Sequence, residues 1–326
     1  MEIFITYIPG MSIRELESLI LGGISGARFI FKESETSSFI RKVNQYKEYF
    51  QNTNPDKFTL IIDLPGTKPR IGHLETPITL KKGMSLNFSI FNHSEIKISN
   101  LDRQQFYKIK VGHKLSIADD SIELKVISRN AKYFQCESLT TNGILRGGRS
   151  IVFPDSGIVN SALSVQDIKL LKSLKSNKFD FKIAVSFCHS PKVIQTLVKN
   201  YKIKIENIIP KIETVMSKEK LIAIIKNCEY AILGRGDLSV AHLGYEWFSF
   251  QLLFINTCLD YKVEPVIGTG LFPSLSQSNR PKISEISDAG FLIQMGVKSF
   301  LIADDVSFTN PSQVVKQFQD LYNSLN

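Results

Sequence analysis

No run of eighteen apolar residues occurs in the 326-residue chain, which argues against a membrane-spanning helix. The chain also lacks, at its start, a basic stretch leading into an apolar core and cleavage site. Residues 3–7 read as a strand instead, so no secretory signal is expected. Cysteine is sparse: Cys136, Cys188, Cys228 and Cys258 lie far apart with no CxxC spacing. That excludes a cysteine-based zinc site and fits a reducing, cytoplasmic setting. His189, His242 and the other three histidines lack ligand spacing, and there is neither a low-complexity tract nor a basic arm. What is present is material for a core: 43% of residues are hydrophobic and 22% charged, with no signature of disorder. Lysine and arginine number 40 against 31 acidic residues, and the +9 surplus is spread along the chain. Spread in that way, it suits phosphorylated small molecules better than nucleic acid.

Short apolar runs rich in β-branched residues recur at 3–7, 27–32, 58–63, 182–187, 207–213, 230–234, 265–269 and 299–303. Most are followed by an amphipathic helical stretch. Continuous apolarity, as in Leu60-Ile61-Ile62, marks strands buried on both faces and therefore a parallel sheet. Ser190-Pro191 and Asn310-Pro311 are helix starts, and Val314, Phe318, Leu321 and Leu325 share one face of the last helix. Eight such units predict a (β/α)8 TIM barrel. Between about residues 72 and 157 the rhythm changes to short alternating strands at 78–80, 86–90, 95–98, 107–111, 122–126 and 134–138. Turn signals at Lys82-Gly83, Asp119-Asp120 and Asn142-Gly143 separate them. This predicts a small all-β lid domain, 72–157, inserted after the third strand of a barrel formed by 1–71 and 158–326.

Barrels of this kind carry their active sites at the C-terminal ends of the strands. There the chain places Pro9-Gly10, Arg28, Lys32, Asp63 with Gly66, Lys68 and Arg70 behind it, Ser186-Phe187, Lys211-Ile212-Glu213, Arg235-Gly236-Asp237 and Thr269. Converging carboxylates, cations and a hydroxyl describe a site for a metal and an anion, with Glu213 and Asp237 as hard ligands for Mg2+ or Mn2+. Lys211 and Glu213, two apart on a strand, point to one face. Singly each has an ordinary reading: a ladder pair, a turn, a β-branched strand residue.

The pattern becomes specific in Ile209-Pro210-Lys211-Ile212-Glu213 and Leu233-Gly234-Arg235-Gly236-Asp237-Leu238, which resemble the heart of pyruvate kinase. Asn279-Arg280-Pro281-Lys282-Ile283-Ser284-Glu285, with Ser287-Asp288, is similar to that family's Pro-Arg-Pro-Thr-Arg-Ala-Glu segment. Residues 62–72 are similar to its third-strand signature, and Ala118-Asp119-Asp120 to its lid turn. The resemblance covers nearly the whole chain but leaves the family's C-terminal domain, the usual place for sugar-phosphate effectors, without a counterpart. It implies phosphoryl transfer between phosphoenolpyruvate and ADP. Lys211 would offset charge on the enolate oxygen, and Glu213 and Asp237 would hold the metal. Gly236 and Asp237 amides with the Thr269 hydroxyl would bind the substrate carboxylate, and Thr269 would stand in the proton path. Arg28 would contact the phosphoryl group, Asp63 and Arg70 would organise the mouth, and Arg149 falls where the family's lid contacts nucleotide.

Departures from the family are as informative. Ile30 and Lys32 stand for potassium ligands, and Lys68 with Leu64 and Ile71 matches the potassium-independent pattern, so K+ is not expected to be required. On the nucleotide side Glu33, Ser38, Tyr7, Gly10 and Gly148 depart from the family, and Ile302 replaces a serine of its proton-relay network. Three readings stay open: pyruvate kinase chemistry, a different metal-dependent enolate reaction (aldol-type cleavage or another phosphoryl acceptor), and a non-catalytic relative. The expected partners are phosphoenolpyruvate or pyruvate and ADP or ATP, not nucleic acid or membrane, with the barrel helices as a surface for self-association.

Overall fold

The computed structural model describes residues 1–326 apart from 8–10, 32–35, 54–57, 92–94, 118–121, 159–161, 176–180, 242–244, 304–305, 308–310 and 326. Pro9, Gly10, Lys32, Glu33, the Asp119-Asp120 turn, His242 and Asn310 therefore lie outside the described residues. The chain divides into two compact units. The first comprises Met1–Pro65, Ala162–Gly236 and Phe248–Asn326; the second comprises Gly66–Ser161 and Asp237–Trp247.

The first unit holds a closed barrel of eight parallel strands. In chain order they are Glu2–Thr6, Gly26–Ile30, Thr59–Leu64, Lys182–Val185, Ile208–Ile212, Tyr230–Gly234, Glu264–Gly268 and Ser299–Leu301. The first strand pairs with both the second and the eighth, closing the ring. Phe4, Ile61, Ala184, Ile209, Ile232, Val266 and Leu301, from seven of the strands, pack into one buried interior layer. Because side chains on a strand alternate faces, the residue two positions beyond each of these also points inward, one level closer to the C-terminal rim. Those residues are Thr6, Asp63, Lys211, Gly234 and Gly268 on the first, third, fifth, sixth and seventh strands, with Ser186 and Ala303 just beyond the fourth and eighth. An apolar floor thus carries a polar level directly above it.

The helices between strands start where local chemistry dictates. Ser12 and Glu15 form a capping box ahead of Ile13–Leu21, and Ser190 accepts from the Lys192 amide ahead of Pro191–Tyr201. The final helix, Pro311–Leu325, buries Val314, Val315 and Phe318, whereas Leu325 is 38% exposed. The expected apolar face therefore ends a turn early. Among the described residues no helix is long and apolar enough to cross a membrane. All four cysteines are free and buried, and burial pushes their thiols up.

The second unit contains a seven-stranded sheet and a two-stranded one pairing Ile78–Leu80 with Gly143–Leu145. Its core gathers Leu86, Phe88, Phe106, Ile109, Leu115, Leu124 and Phe134. The strand expected at 107–111 is instead the end of a helix, Arg103–Lys108, followed by a turn. Asp102 caps that helix in a box with Gln105, and Phe106 and Ile109, three apart, are both buried. Capping and a three-residue spacing override the short apolar alternation. An additional strand, Lys114–Ile117, follows it.

Candidate active site

Arg28, Asp63, Ser186, Lys211 and Glu213 meet above the apolar floor of the barrel. Asp63, only 2% exposed, accepts from Arg28 Nη1 at 3.3 Å, from Lys211 Nζ at 3.3 Å and from Ser186 Oγ at 3.1 Å. Burial pushes its carboxyl up, but the Lys211 and Arg28 charges and the bonds from Lys211 and Ser186 outweigh that. The net result holds Asp63 below the usual carboxylate range. Lys211 Nζ also lies 3.1 Å from Ser186 Oγ and 3.2 Å from Glu213 Oε1. Glu213, 3% exposed, receives the Phe187 amide on Oε2 at 2.7 Å. Cations and carboxylates alternate across the array, so each buried charge has an opposite neighbour, the condition for burying charge at all.

Backbone detail builds this array. Phe187, just beyond the fourth strand, adopts φ +53°, and its amide faces Glu213. At the end of the sixth strand, a Cβ on Gly234 would lie 2.7 Å from Glu213 Cγ. The absence of a side chain at Gly234 makes the room in which the Glu213 carboxylate lies. On the other flank Arg28 Nη2 donates to Thr6 Oγ1 at 2.7 Å, and Thr6 Oγ1 donates to the Ile302 carbonyl at 2.8 Å. Arg28 Nε is buried with no hydrogen-bond partner among the described residues.

Thr269 follows the seventh strand with φ +70°. For a β-branched residue this conformation costs about 1–3 kcal/mol and persists only where its surroundings enforce it. Arg235, 7% exposed, donates to the Thr269 carbonyl from Nε at 2.9 Å and from Nη2 at 2.6 Å. Its Nη1 meets both carboxylate oxygens of Asp288, at 3.0 and 2.9 Å. Gly236 and Asp237 stand in the first turn of the helix Arg235–Ala241, where helical amides are directed outward and favour anions.

Four of the candidate residues belong to the second unit: Lys68, Arg70, Asp237 and Arg149. Within it the Lys68 ammonium, on a residue 7% exposed, contacts Asp237 Oδ1. Arg70 Nη1 donates to the Gly148 carbonyl at 3.0 Å, and Arg149 is exposed, its carbonyl accepting from the Ile71 amide at 2.8 Å. Glu213 and Asp237 are each paired with a lysine ammonium, so both carboxylates hold a cation in direct contact. They are hard oxygen donors of the kind Mg2+ takes one or two of, filling its other positions with water and substrate oxygens. Among the described residues no group of three His, Cys, Asp or Glu side chains is arranged to hold a metal.

Two of the residues that depart from the family on the nucleotide side are described. Tyr7 is a packing residue: its ring stacks on Phe29 at 4.4 Å and its hydroxyl donates to the Met11 carbonyl at 3.3 Å. Ser38 is exposed on the helix Thr36–Thr53. Ser186, Gly234 and Arg235 stand in the motifs read from the sequence, yet no role followed from spacing. A period-two count from the interior residues Ala184 and Ile232 would have found the first two.

A family model described as pyruvate kinase, barrel domain, matches residues 3–308. Plastidial pyruvate kinase 3 of Arabidopsis thaliana is 25% identical over 312 residues, 94% of this chain and 54% of the relative. A pyruvate kinase of Encephalitozoon cuniculi is 26% identical over 314 residues, covering 93% of this chain and 70% of the relative. The chain spans about half the length of the plastidial relatives it matches. Among solved structures, pyruvate kinase of Cryptosporidium parvum superposes with a TM-score of 0.81 at 21% identity, over 98% of this chain and 69% of that one. That likeness concerns the fold.

Proposed function

The chain belongs to the pyruvate kinase family, and from that premise we propose that it transfers the phosphoryl group of phosphoenolpyruvate to ADP. The observation that carries this reading is the buried array of Arg28, Asp63, Lys211 and Glu213 above the barrel floor. In the transfer the bond between phosphorus and the enol oxygen breaks as one forms to the terminal oxygen of ADP. The enolate left behind takes a proton at its methylene carbon to give pyruvate.

Arg28 meets the transferring phosphoryl group, with its buried Nε available for an anion. Lys211, held between Asp63 and Glu213, offsets the charge that develops on the enolate oxygen. The amides of Gly236 and Asp237 and the Thr269 hydroxyl take the substrate carboxylate, and Thr269 lies on the proton path. Glu213 and Asp237 are the residues that would hold Mg2+ or Mn2+. Bound there, the divalent ion would supply Lewis acidity to the reaction. Lys68 takes the place of potassium; its buried ammonium, paired with Asp237, supports that role. Asp63 and Arg70 organise the mouth, and Arg149 is the nucleotide contact of the lid. Buried free thiols fit a cytoplasmic enzyme. Phe248 and Phe291, both partly exposed on barrel helices, stack 5.9 Å apart and support self-association through that face.

A coupled assay with phosphoenolpyruvate, ADP and Mg2+ tests the reading. Pyruvate and ATP should appear in equal amounts and vanish on chelation and in Glu213→Gln. Absence of both products from the wild-type protein at saturating substrates would overturn it.

A further inference from the structure

Arg235 sits at the end of the sixth strand, yet its side chain is spent on the end of the seventh. Two of its N–H groups converge on one acceptor, the Thr269 carbonyl. Its Nη1 faces the Asp288 carboxylate and lies 3.5 Å from Gln251 Oε1, so residues from two barrel helices orient the guanidinium. The residue it grips has a strained backbone: Thr269 at φ +70°, followed by Gly270 at φ +75°. A Cβ on Gly270 would stand 3.2 Å from Arg235 Nη2, so the glycine lets the guanidinium approach. A β-branched residue does not keep this conformation unaided, and a buried, doubly donated, charge-assisted contact is the kind that enforces it.

We infer that Arg235 is a positioning residue, a clamp that holds Thr269 in the left-handed conformation and thereby aims its hydroxyl at the substrate. The assignment rests on the reading of Thr269 given above. It makes a planar fork necessary, because one ammonium cannot bridge the Thr269 carbonyl and the Asp288 carboxylate with the same geometry.

The test measures exchange of pyruvate methyl protons in deuterated water with Mg2+, in which a proton leaves carbon for solvent and a deuteron returns. Arg235→Gln should lower kcat on the order of 10²-fold, as displacement of a reacting group by about 1 Å does, with KM little changed. Arg235→Lys should not restore it, and Mn2+ affinity should match wild type. Asp288→Asn, which keeps the arginine but loosens its orientation, should show the same split to a smaller extent and carries the test if Arg235→Gln does not fold. Crystal structures of the variants give a readout independent of activity: φ at Thr269 should move to negative values. A wild-type kcat with φ unchanged would overturn the clamp, as would a rise in KM alone or a loss of Mn2+ affinity. Should the wild-type protein show no exchange, the functional reading fails and the Thr269 backbone in the variants alone decides the clamp.

Discussion

At the scale of single residues, Asp63 is the charge on which the array depends. Its carboxyl is held low by Lys211 and Arg28, so its stabilising contribution is complete above the unfolded value, about 3.9, and is lost as pH falls through the lower folded value. Asp63→Asn should destabilise the protein by about 3–5 kcal/mol at neutral pH, as breaking a buried pair does. The gap from wild type should hold steady down to about pH 5 and narrow below about pH 4 in urea titrations. A gap independent of pH would contradict the account. Gly234→Ala should leave the fold in place, because what must move is the Glu213 side chain. It should weaken Mn2+ binding about 10–100-fold, the usual cost of disturbing a ligand's support. The pairing of Lys211 with Glu213 was legible because both lie on one strand face, two residues apart. Arg235 was not legible, because its partner is a strained carbonyl 34 residues away and no linear spacing encodes a backbone angle.

Among elements, the eight barrel strands were readable because burial on both faces leaves nearly continuous apolar runs. The region 103–111 was not, because four apolar positions within a few residues fit either period. There the Asp102 capping box decides for helix. Phe106→Ala should cost about 3–5 kcal/mol, since its side chain is fully buried in the core of the second unit. Tyr107→Ala, 49% exposed, should cost under about 1 kcal/mol, as surface changes do. Equal costs in thermal unfolding would point back to a strand. The early end of the apolar face after Leu321 was beyond sequence patterning, because exposure of Leu325 depends on what the barrel presents opposite the last turn.

At the scale of the whole molecule, the proposed reaction draws on a polar level two residues above the apolar barrel floor, and Lys68 is proposed to take the place of potassium. Any kinase activity should be unchanged when sodium replaces potassium at fixed ionic strength; a specific potassium requirement would remove Lys68 from its proposed role. The central claim is that Lys211 and Glu213 serve a metal-dependent enolate reaction. It is tested most directly by proton NMR of pyruvate in deuterated water, comparing wild type, Lys211→Ala and Glu213→Gln with and without Mg2+. The account predicts methyl-proton exchange in the wild-type protein that disappears on chelation and in Glu213→Gln, and slows on the order of 10²–10³-fold in Lys211→Ala. No exchange by the metal-loaded wild type, or undiminished exchange in both variants, would contradict it.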